Sequence, residues 1–209
     1  MSYVDLDVPK FMWANEIEEA VRFAQEIGYP VVAKVVSHHA LHKSDVGGVV
    51  VGIGSDEKLT ETFGRFKHLE GFAGMLVEEM LSGIELIAGA KIDYQFGPVV
   101  LLGMGGTGVE IYRDTTLRMA PLKQRDVESM LKDLKAHQLL EGYRGSQRVN
   151  LKKLKDMVVA FSSLVMEIEG FIESIDLNPV LCSSRRCIVA EARIMLKEEK
   201  TPKVLGTSN

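Results

Sequence analysis

The chain is poor in the residues that mark several common protein classes. Only two of its 209 residues are cysteines, Cys182 and Cys187, and only six are prolines. Two cysteines exclude a disulfide framework and a four-ligand zinc site built from cysteine alone. The four residues between them are typical of a hairpin tip. We therefore expect two reduced cysteines and a reducing compartment.

An excess of positive charge and a long apolar run are also missing. The 25 Lys and Arg residues stand against 29 Asp and Glu, and the sequence pI is about 5.8. That balance offers no strongly basic surface for nucleic acid. No run approaches the roughly 18 apolar residues of a spanning helix, and the first ten residues do not resemble a signal peptide. We expect a cytoplasmic protein that binds neither nucleic acid nor membrane.

Hydrophobic residues make up 46% of the chain, and its mean hydropathy is +0.06, which is typical of a globular protein with a real core. Apolar periodicity and capping residues alternate between helix and strand. Closely spaced strands are mostly antiparallel, because a parallel crossover needs about a dozen residues. The fold class is therefore α+β. We predict helices at 15–27, 55–69, 124–135 and 150–168, and strands at 31–36, 49–51, 75–80, 85–91, 99–102, 109–112, 172–177 and 187–195.

A lysine lies in the middle of the predicted strand 31–36. Lys34 is flanked on both sides by valine and alanine. Its ammonium must therefore leave the sheet on an exposed face or meet an anion, since burying it unpaired would be costly. The first alternative is a solvent-facing lysine, and the second is a lysine that binds phosphate.

Two glycine-rich segments, 45–48 and 103–108, resemble phosphate loops only superficially. Neither contains the Gly-Lys-Ser/Thr of a Walker A loop. Gly103, Gly105 and Gly108 match the spacing of a dinucleotide fingerprint, but the residues that follow are typical of a strand, where that site needs a helix. This pattern excludes nicotinamide binding. Taken alone, both segments are typical of hairpin turns.

Histidines cluster in the predicted loop 37–48. His38, His39 and His42 have no glutamate placed to complete a metalloprotease pattern, which disfavours zinc. The sequence 42–45 combines a nucleophilic imidazole, a cation and a carboxylate beside a glycine turn. Its two interpretations are a phosphoryl-accepting histidine and a solvated polar loop.

Acidic residues gather near predicted strand ends. Magnesium bound with a polyphosphate needs only one or two carboxylates or amides from neighbouring strands. The segments 176–179 and 190–193 have that composition and lie on adjacent strands of a predicted hairpin. Each acidic residue taken singly is typical of a protein surface. The candidates are Glu78, Glu79, Glu85, Glu110, Asp176, Asn178 and Glu191.

The order of these features resembles the ATP-grasp fold. Residues 27–196 are similar to the ATP-grasp (β) part of the ADP-forming acyl-CoA synthetases, relatives of succinyl-CoA synthetase. Several blocks in the family's order are far more specific than any one of them. The blocks are 28–37, 41–49, 95–100 with Gly105 and Gly106, 117–122, 142–145, 176–179 and 191–193.

The resemblance implies a nucleotide cleft between two α+β subdomains, 1–78 and 79–196, followed by a polar tail at 197–209. The cofactors that it implies are ATP or ADP and Mg²⁺. By the same resemblance Lys34 binds the phosphates, Glu78, Glu79 and Met80 lie against the adenine, Glu85 holds the ribose, and Asn178 and Glu191 ligate magnesium. Glu191 stands where the family usually has aspartate.

The reaction implied by the resemblance is that of an acid–CoA ligase. Acyl-CoA, ADP and phosphate are interconverted with acid, CoA and ATP through a phosphohistidine on a CoA-binding α portion. His42 matches the β-side histidine that takes the phosphoryl group in transit, and Asp176 matches an acidic residue that orients a phosphohistidine. The segment before Asn15 is short for the first subdomain. We therefore expect either an α partner that supplies the rest, in a hetero-oligomer, or a trimmed domain.

Two other functions remain open at this point. One is a non-catalytic nucleotide-binding module that regulates a partner. The other is a different ATP-grasp ligase, which would join a carboxylate to an amine or thiol through an acyl phosphate. The block around His42 disfavours the second alternative, because that chemistry needs no histidine of the enzyme.

Overall fold

The computed structural model describes residues 6–37, 47–106, 113–145 and 147–197, and these form two compact units. The smaller unit is Val8–Ser82. The larger unit begins at Gly83 and also includes residues 6 and 7. The division between the units thus follows residue 82, whereas the sequence places a subdomain boundary after residue 78.

The smaller unit contains four strands and two helices. Its antiparallel sheet has the strand order β1-β4-β2-β3. The elements are β1 (Phe11–Ala14), α1 (Ile17–Ile27), β2 (Val31–Ser37), β3 (Val49–Ile53), α2 (Asp56–Lys67) and β4 (Phe72–Glu79).

Both helices of the smaller unit belong to one apolar core with one face of this sheet. Ala20 and Ala24 of α1 and Phe63 and Phe66 of α2 are buried in the same cluster as Val35 of β2. Because side chains alternate along a strand, every second residue of β2 points to the other face of the sheet. Lys34 therefore lies on the face opposite the helices.

The described residues of the larger unit form six strands and three helices. Its main sheet is antiparallel, in the order β10-β8-β5-β6-β7, and β9 pairs with β8. A single 3-10 turn, Tyr143–Gly145, precedes the last helix. The elements are β5 (Ile84–Asp93), β6 (Gly97–Met104), β7 (Thr115–Met119), α3 (Gln124–Asp133), α4 (His137–Leu140), α5 (Leu151–Ile168), β8 (Ile172–Cys182), β9 (Cys187–Val189) and β10 (Ala192–Leu196).

One face of the larger sheet is covered by helices and the other is open. Leu86 and Leu102 of the sheet share a buried cluster with Met130 of α3 and with Val158 and Phe161 of α5. Leu122 enters this core next to α3, where its backbone N–H donates to the Ser162 hydroxyl at 2.8 Å. The alternate residues of β5, β6 and β8 face the opposite side, which carries the candidate site.

The predicted α+β class with antiparallel sheets is confirmed, and the four predicted helices are present. The first helix is capped by Glu16 and not by Asn15, since Glu16 and Glu19 form its capping box. Strands β1 and β7 were not predicted, and the predicted strand 187–195 is two strands. The predicted strand 109–112 lies outside the described residues.

Two further sequence-based expectations can be compared with the structure. Cys182 and Cys187 are free, buried and directly opposite each other on β8 and β9, and Ser183 and Arg186 close the predicted hairpin tip. Within the described part of the chain, no helix is long and apolar enough to cross a membrane.

Candidate active site

Lys34 is held in a buried ion pair with Glu78. The Lys34 Nζ lies 2.8 Å from Glu78 Oε2, and the two side chains are 11% and 8% exposed. Lys34 is on β2 and Glu78 is on β4, so the two central strands of the smaller sheet position the pair. The alternative of a solvent-facing lysine is wrong, because the lysine meets an anion instead.

The segment after Glu78 ends strand β4 and turns toward solvent. The Glu79 carboxylate accepts a hydrogen bond from the Lys10 N–H at 3.0 Å, and the Glu79 N–H donates to the Lys10 carbonyl at 2.9 Å. These two bonds fix the end of β4 against the residue before β1. Met80 follows with 42% of its surface exposed. Glu78, Glu79 and Met80 thus run from a buried charge to an exposed apolar side chain.

Glu85, the predicted ribose ligand, lies beneath the glycine-rich segment. The Gly105 N–H donates to the Glu85 carbonyl at 2.7 Å. A Cβ atom at residue 105 would come within 2.8 Å of the Glu85 backbone, so only glycine allows this close approach. Residues 103–106 therefore continue and end strand β6, as a hairpin segment does, and 107–112 lie outside the described residues.

Asp176 stands on the open face of the larger sheet. Its neighbours across the ladder are Gly89 of β5 and Arg193 of β10. Burial against the sheet raises the pKa of the Asp176 carboxyl above its ordinary value of 3.8. The nearby Arg193 lowers this pKa and Glu191 raises it further. Asp176 is thus a carboxyl with an elevated proton affinity on an accessible surface.

Asn178 and Glu191 are neighbours on adjoining segments of the chain. The Asn178 N–H donates to the Glu191 carbonyl at 3.1 Å, two residues along the chain from the pair of Asp176 and Arg193. Residues two apart on a strand share a face, so Asn178 of β8 lies on the side of Asp176. Glu191 is close enough to Asp176 to raise the pKa of its carboxyl. The structure therefore brings together the three polar residues predicted at 176, 178 and 191.

This donor set suits magnesium. An amide oxygen and a carboxylate oxygen are the hard ligands that Mg²⁺ prefers, and Mg²⁺ usually takes its remaining ligands from water and substrate phosphate. No group of three or more histidine, cysteine, aspartate or glutamate side chains able to hold a metal occurs among the described residues. A magnesium site at Asn178 and Glu191 would therefore need further oxygen ligands from water or phosphate.

An apolar depression of about 570 Å³ lies beside Asp176 on the open sheet face. Gly89 forms part of its floor, and a Cβ atom there would lie 4.0 Å from Asp176 Oδ1. Sequence reasoning missed Gly89. Glycine within a strand often marks a close approach of another group, and that signal was present in the sequence. The depression is lined in part by Ile87, Val99, Leu101 and Leu117.

His42, the predicted phosphoryl acceptor, lies outside the described residues, and so do His38, His39 and Glu110. The structure therefore leaves the predicted role of His42 as it stood. Gly47 and Gly48, which end that loop, are described. The Gly48 carbonyl accepts a hydrogen bond from the Val35 N–H at 2.7 Å, which anchors the end of the loop beside Lys34.

Comparison with known proteins decides the family. Residues 1–196 match the ATP-grasp domain family. The chain belongs to the ATP-grasp family. Within it, the chain is 40% identical over 199 residues to the Acetate--CoA ligase [ADP-forming] I subunit beta of Pyrococcus furiosus, a match that covers 91% of this chain and 85% of the relative. The predicted resemblance to β subunits of ADP-forming acyl-CoA synthetases is confirmed.

Solved ATP-grasp structures agree with this assignment. The Ca. Korarchaeum cryptofilum dinucleotide forming Acetyl-coenzyme A synthetase 1, in complex with coenzyme A, Ca-AMPCP and HgCl+, superimposes with a TM-score of 0.85 at 40% identity, over 92% of this chain and 87% of that one. The same protein with coenzyme A and Mg-AMPPCP, its phosphohistidine segment pointing towards the nucleotide binding site, gives a TM-score of 0.81 at 40% identity, with 92% and 86% coverage. The predicted ATP-grasp fold is confirmed.

Proposed function

We propose that this chain is the nucleotide-binding β subunit of an ADP-forming acyl-CoA synthetase. It would transfer a phosphoryl group between ADP or ATP and a phosphohistidine, while the complete enzyme interconverts acyl-CoA, ADP and phosphate with acid, CoA and ATP. The observation that carries this proposal is the 40% identity to a β subunit of this activity over 91% of the chain. The placement of Lys34, Asp176, Asn178 and Glu191 supports it.

In this proposal the smaller unit supplies positive charge and a base-binding segment. Lys34 neutralises the charge on the nucleotide phosphates, because its ammonium is fixed on a strand and directed by its ion pair with Glu78. The segment Glu78, Glu79 and Met80 lies along the adenine and contacts it through its backbone and through the exposed, apolar Met80 side chain. Glu85 of the larger unit binds the ribose hydroxyls.

Asn178 and Glu191 would hold Mg²⁺ through their side-chain oxygens. When bound, the ion supplies charge neutralisation for the phosphates. Glutamate at 191 reaches one methylene further than the aspartate that is usual in the family. The backbone hydrogen bond between Asn178 and Glu191 keeps the two residues next to each other, so the backbone position from which the longer Glu191 side chain extends is fixed.

The proposed phosphoryl acceptor on this chain is His42. One imidazole nitrogen attacks the terminal phosphorus of ATP, an N–P bond forms, and the P–O bond to ADP breaks with its electron pair leaving on ADP. The attacking nitrogen must be unprotonated, which requires the other nitrogen to carry the proton. Asp176 serves as the acidic residue that orients a phosphohistidine.

We further propose a CoA-binding α partner that carries the main phosphohistidine, so that the two chains form a hetero-oligomer. The relative in Pyrococcus furiosus is itself a β subunit. The residues proposed above would bind nucleotide and metal, and none of the described residues is assigned to an acyl or CoA site. We place the assembly in the cytoplasm, where the nucleotide and CoA pools that it uses are held.

Calorimetric titration of the purified chain with ADP and ATP, with and without Mg²⁺, tests the nucleotide site. We expect Mg²⁺-dependent binding that falls at least about tenfold in Lys34→Ala, because one charge-assisted contact to phosphate is lost. Asn178→Ala should abolish most of the difference between titrations with and without Mg²⁺. Lys58→Ala, which removes an exposed lysine of α2, is the matched control and should bind as the wild type does.

Circular dichroism of each variant separates loss of binding from loss of folding. A folded Lys34→Ala variant with wild-type affinity would contradict the role of Lys34. Absence of binding in the wild-type chain would require the titration to be repeated with an α subunit, and absence of binding there too would reject the proposed function.

A further inference from the structure

The ion pair between Lys34 and Glu78 is the most deeply buried one in the part of the chain that the structure describes. The other ion pairs there involve side chains with at least 25% of their surface exposed. Lys34 and Glu78 are 8% and 6% exposed as whole residues, although both lie on the sheet face opposite the helices. The pair therefore exists in a desolvated environment.

Stability alone gives little reason for such a pair. Removing two charges from water costs about as much free energy as their attraction returns, and apolar replacements of similar volume are often as stable. Val32 and Val36, which share the sheet face of Lys34 on β2, are apolar, so an apolar residue at position 34 would have apolar neighbours on its own strand. A charged pair at this position is therefore better explained by what the lysine binds.

The geometry restricts how a phosphate can reach the lysine. An ammonium has three N–H donors, and one of them is directed at Glu78 Oε2. A phosphate oxygen on another donor of the same nitrogen would lie only about 4–5 Å from that carboxylate oxygen. Two negative charges at this separation repel each other, and the repulsion is strong because the site is buried.

We propose that Glu78 is a counter-charge that sets the affinity of the site for nucleotide phosphates, an inference that rests on the proposed nucleotide-binding function. Glu78 keeps the Lys34 ammonium directed while no nucleotide is bound. Its carboxylate then opposes the incoming phosphate, so the nucleotide is bound weakly enough to be released. Glu78 acts through Lys34 and is therefore a positioning and affinity-setting residue.

A counter-charge and a contact between the Glu78 side chain and the base predict opposite changes in nucleotide affinity when Glu78 is replaced. A base contact predicts that replacing Glu78 weakens adenosine, ADP and ATP equally. A counter-charge predicts that Glu78→Gln strengthens the binding of ADP and ATP and leaves adenosine unchanged. Glutamine keeps an oxygen that can accept the hydrogen bond of Lys34, so the lysine stays directed while the negative charge is removed.

The test measures dissociation constants of adenosine, MgADP and MgATP for the full chain, with adenosine read by competition against a fluorescent nucleotide. We expect Glu78→Gln to raise the affinity for MgADP relative to adenosine about tenfold. Because both affinities are measured on one sample, their ratio is independent of the fraction of folded protein. Glu78→Met, which also removes the negative charge, should change this ratio in the same direction. Glu61→Gln, an equal change of charge on the exposed side of α2, should leave the ratio unchanged.

The possible outcomes distinguish a failure of this inference from a failure of the proposed nucleotide-binding function. In a Lys34→Met background, Glu78→Gln should no longer change the ratio, because the counter-charge acts through the lysine. If Glu78→Gln weakened the binding of adenosine and MgADP equally, the inference would be overturned but nucleotide binding would stand. The same would hold if the variant weakened the binding of MgADP alone. A wild-type chain that binds no nucleotide, alone or with its α subunit, would overturn the proposed function and the inference with it.

Discussion

Lys34 and Glu78 are diagonal neighbours on two antiparallel strands, since Val32 lies opposite Glu78 and Lys34 lies opposite Leu76. A diagonal pair is far enough apart for two long side chains to meet end to end without bending. The register of β2 and β4 therefore determines the 2.8 Å contact between the charged groups. Any change that leaves one of the two charges alone should be costly.

Replacing Lys34 by methionine should lower the free energy of unfolding by about 3–5 kcal/mol, because the Glu78 carboxylate is then buried without its partner. The double variant with Lys34→Met and Glu78→Leu should recover most of that loss. Urea unfolding followed by circular dichroism measures both values. Equal instability of the single and double variants would show that the pair is not the source of the effect.

Asp114 connects the start of β7 to the turn between α3 and α4. Its carboxylate is buried and accepts hydrogen bonds from the N–H groups of Lys135 and Ala136, both at 2.8 Å. Asp114→Ala leaves two partly buried backbone donors without their acceptor and should lower the free energy of unfolding by about 2–4 kcal/mol.

Asp93 is the matched control for Asp114. It also accepts two backbone N–H bonds, from Gln95 and Phe96, but it does so at a solvent-exposed hairpin. Water can replace the acceptor there, so Asp93→Ala should cost much less. Thermal denaturation of the two variants side by side measures the difference, and equal losses would contradict the assigned role of burial.

Asp176 should make stability depend on pH in an unusual direction. Its pKa is raised in the folded protein, so the folded state holds this proton more tightly than the unfolded state does. The contribution of Asp176 to stability is therefore complete below its ordinary pKa of 3.8 and is lost as the pH rises through the folded value. Asp176→Asn should raise the melting temperature at neutral pH, with a difference that disappears in acid.

Asp156 provides a control of opposite sign for that measurement. Its hydrogen bond from Lys152 lowers its pKa, so its stabilising effect is present at neutral pH and lost as the pH falls. Asp156→Asn should therefore lower the melting temperature at neutral pH. Calorimetric melting of both variants across the acid range checks the two signs, and a shift in the same direction for both would refute the assignment for Asp176.

His42→Ala should separate binding from phosphoryl transfer. We expect the variant to bind MgADP with wild-type affinity, because Lys34 and the magnesium ligands remain. With an α partner present it should not pass the phosphoryl group between nucleotide and the partner's histidine. Transfer of ³²P from labelled ATP is the measurement, and full turnover by this variant would exclude the relay.

Local patterns predicted the helices and the long strands because these have strong periodicity and clear ends. The edge strands β1 and β7 escaped prediction for a physical reason. Each is only 4 or 5 residues long and largely exposed, so its sequence lacks the alternation that burial on one face imposes. β1 pairs with β4, which is distant in the chain, whereas β7 pairs with the preceding strand β6.

The candidate site was predicted residue by residue, but its arrangement was not. Lys34, Asp176, Asn178 and Glu191 were identified from the order of short blocks in the sequence. The pairing of Lys34 with Glu78 depends on strand register, and the opening over Gly89 depends on which face of the sheet the helices cover. Neither is encoded in a local pattern, because both follow from contacts between separate strands.

The Val189 N–H donates to the carbonyl of Asp7 at 2.9 Å, and both residues belong to the larger unit. The larger unit therefore contains chain on both sides of the smaller unit, Val8–Ser82. During synthesis the residues of Val8–Ser82 emerge as one uninterrupted stretch that holds all four strands of its sheet. This unit can therefore complete its own core first, while the start of the larger unit waits for a strand made more than a hundred residues later. Ribosome-bound chains should accordingly contain a folded small unit long before Asn178 and Glu191 have been made.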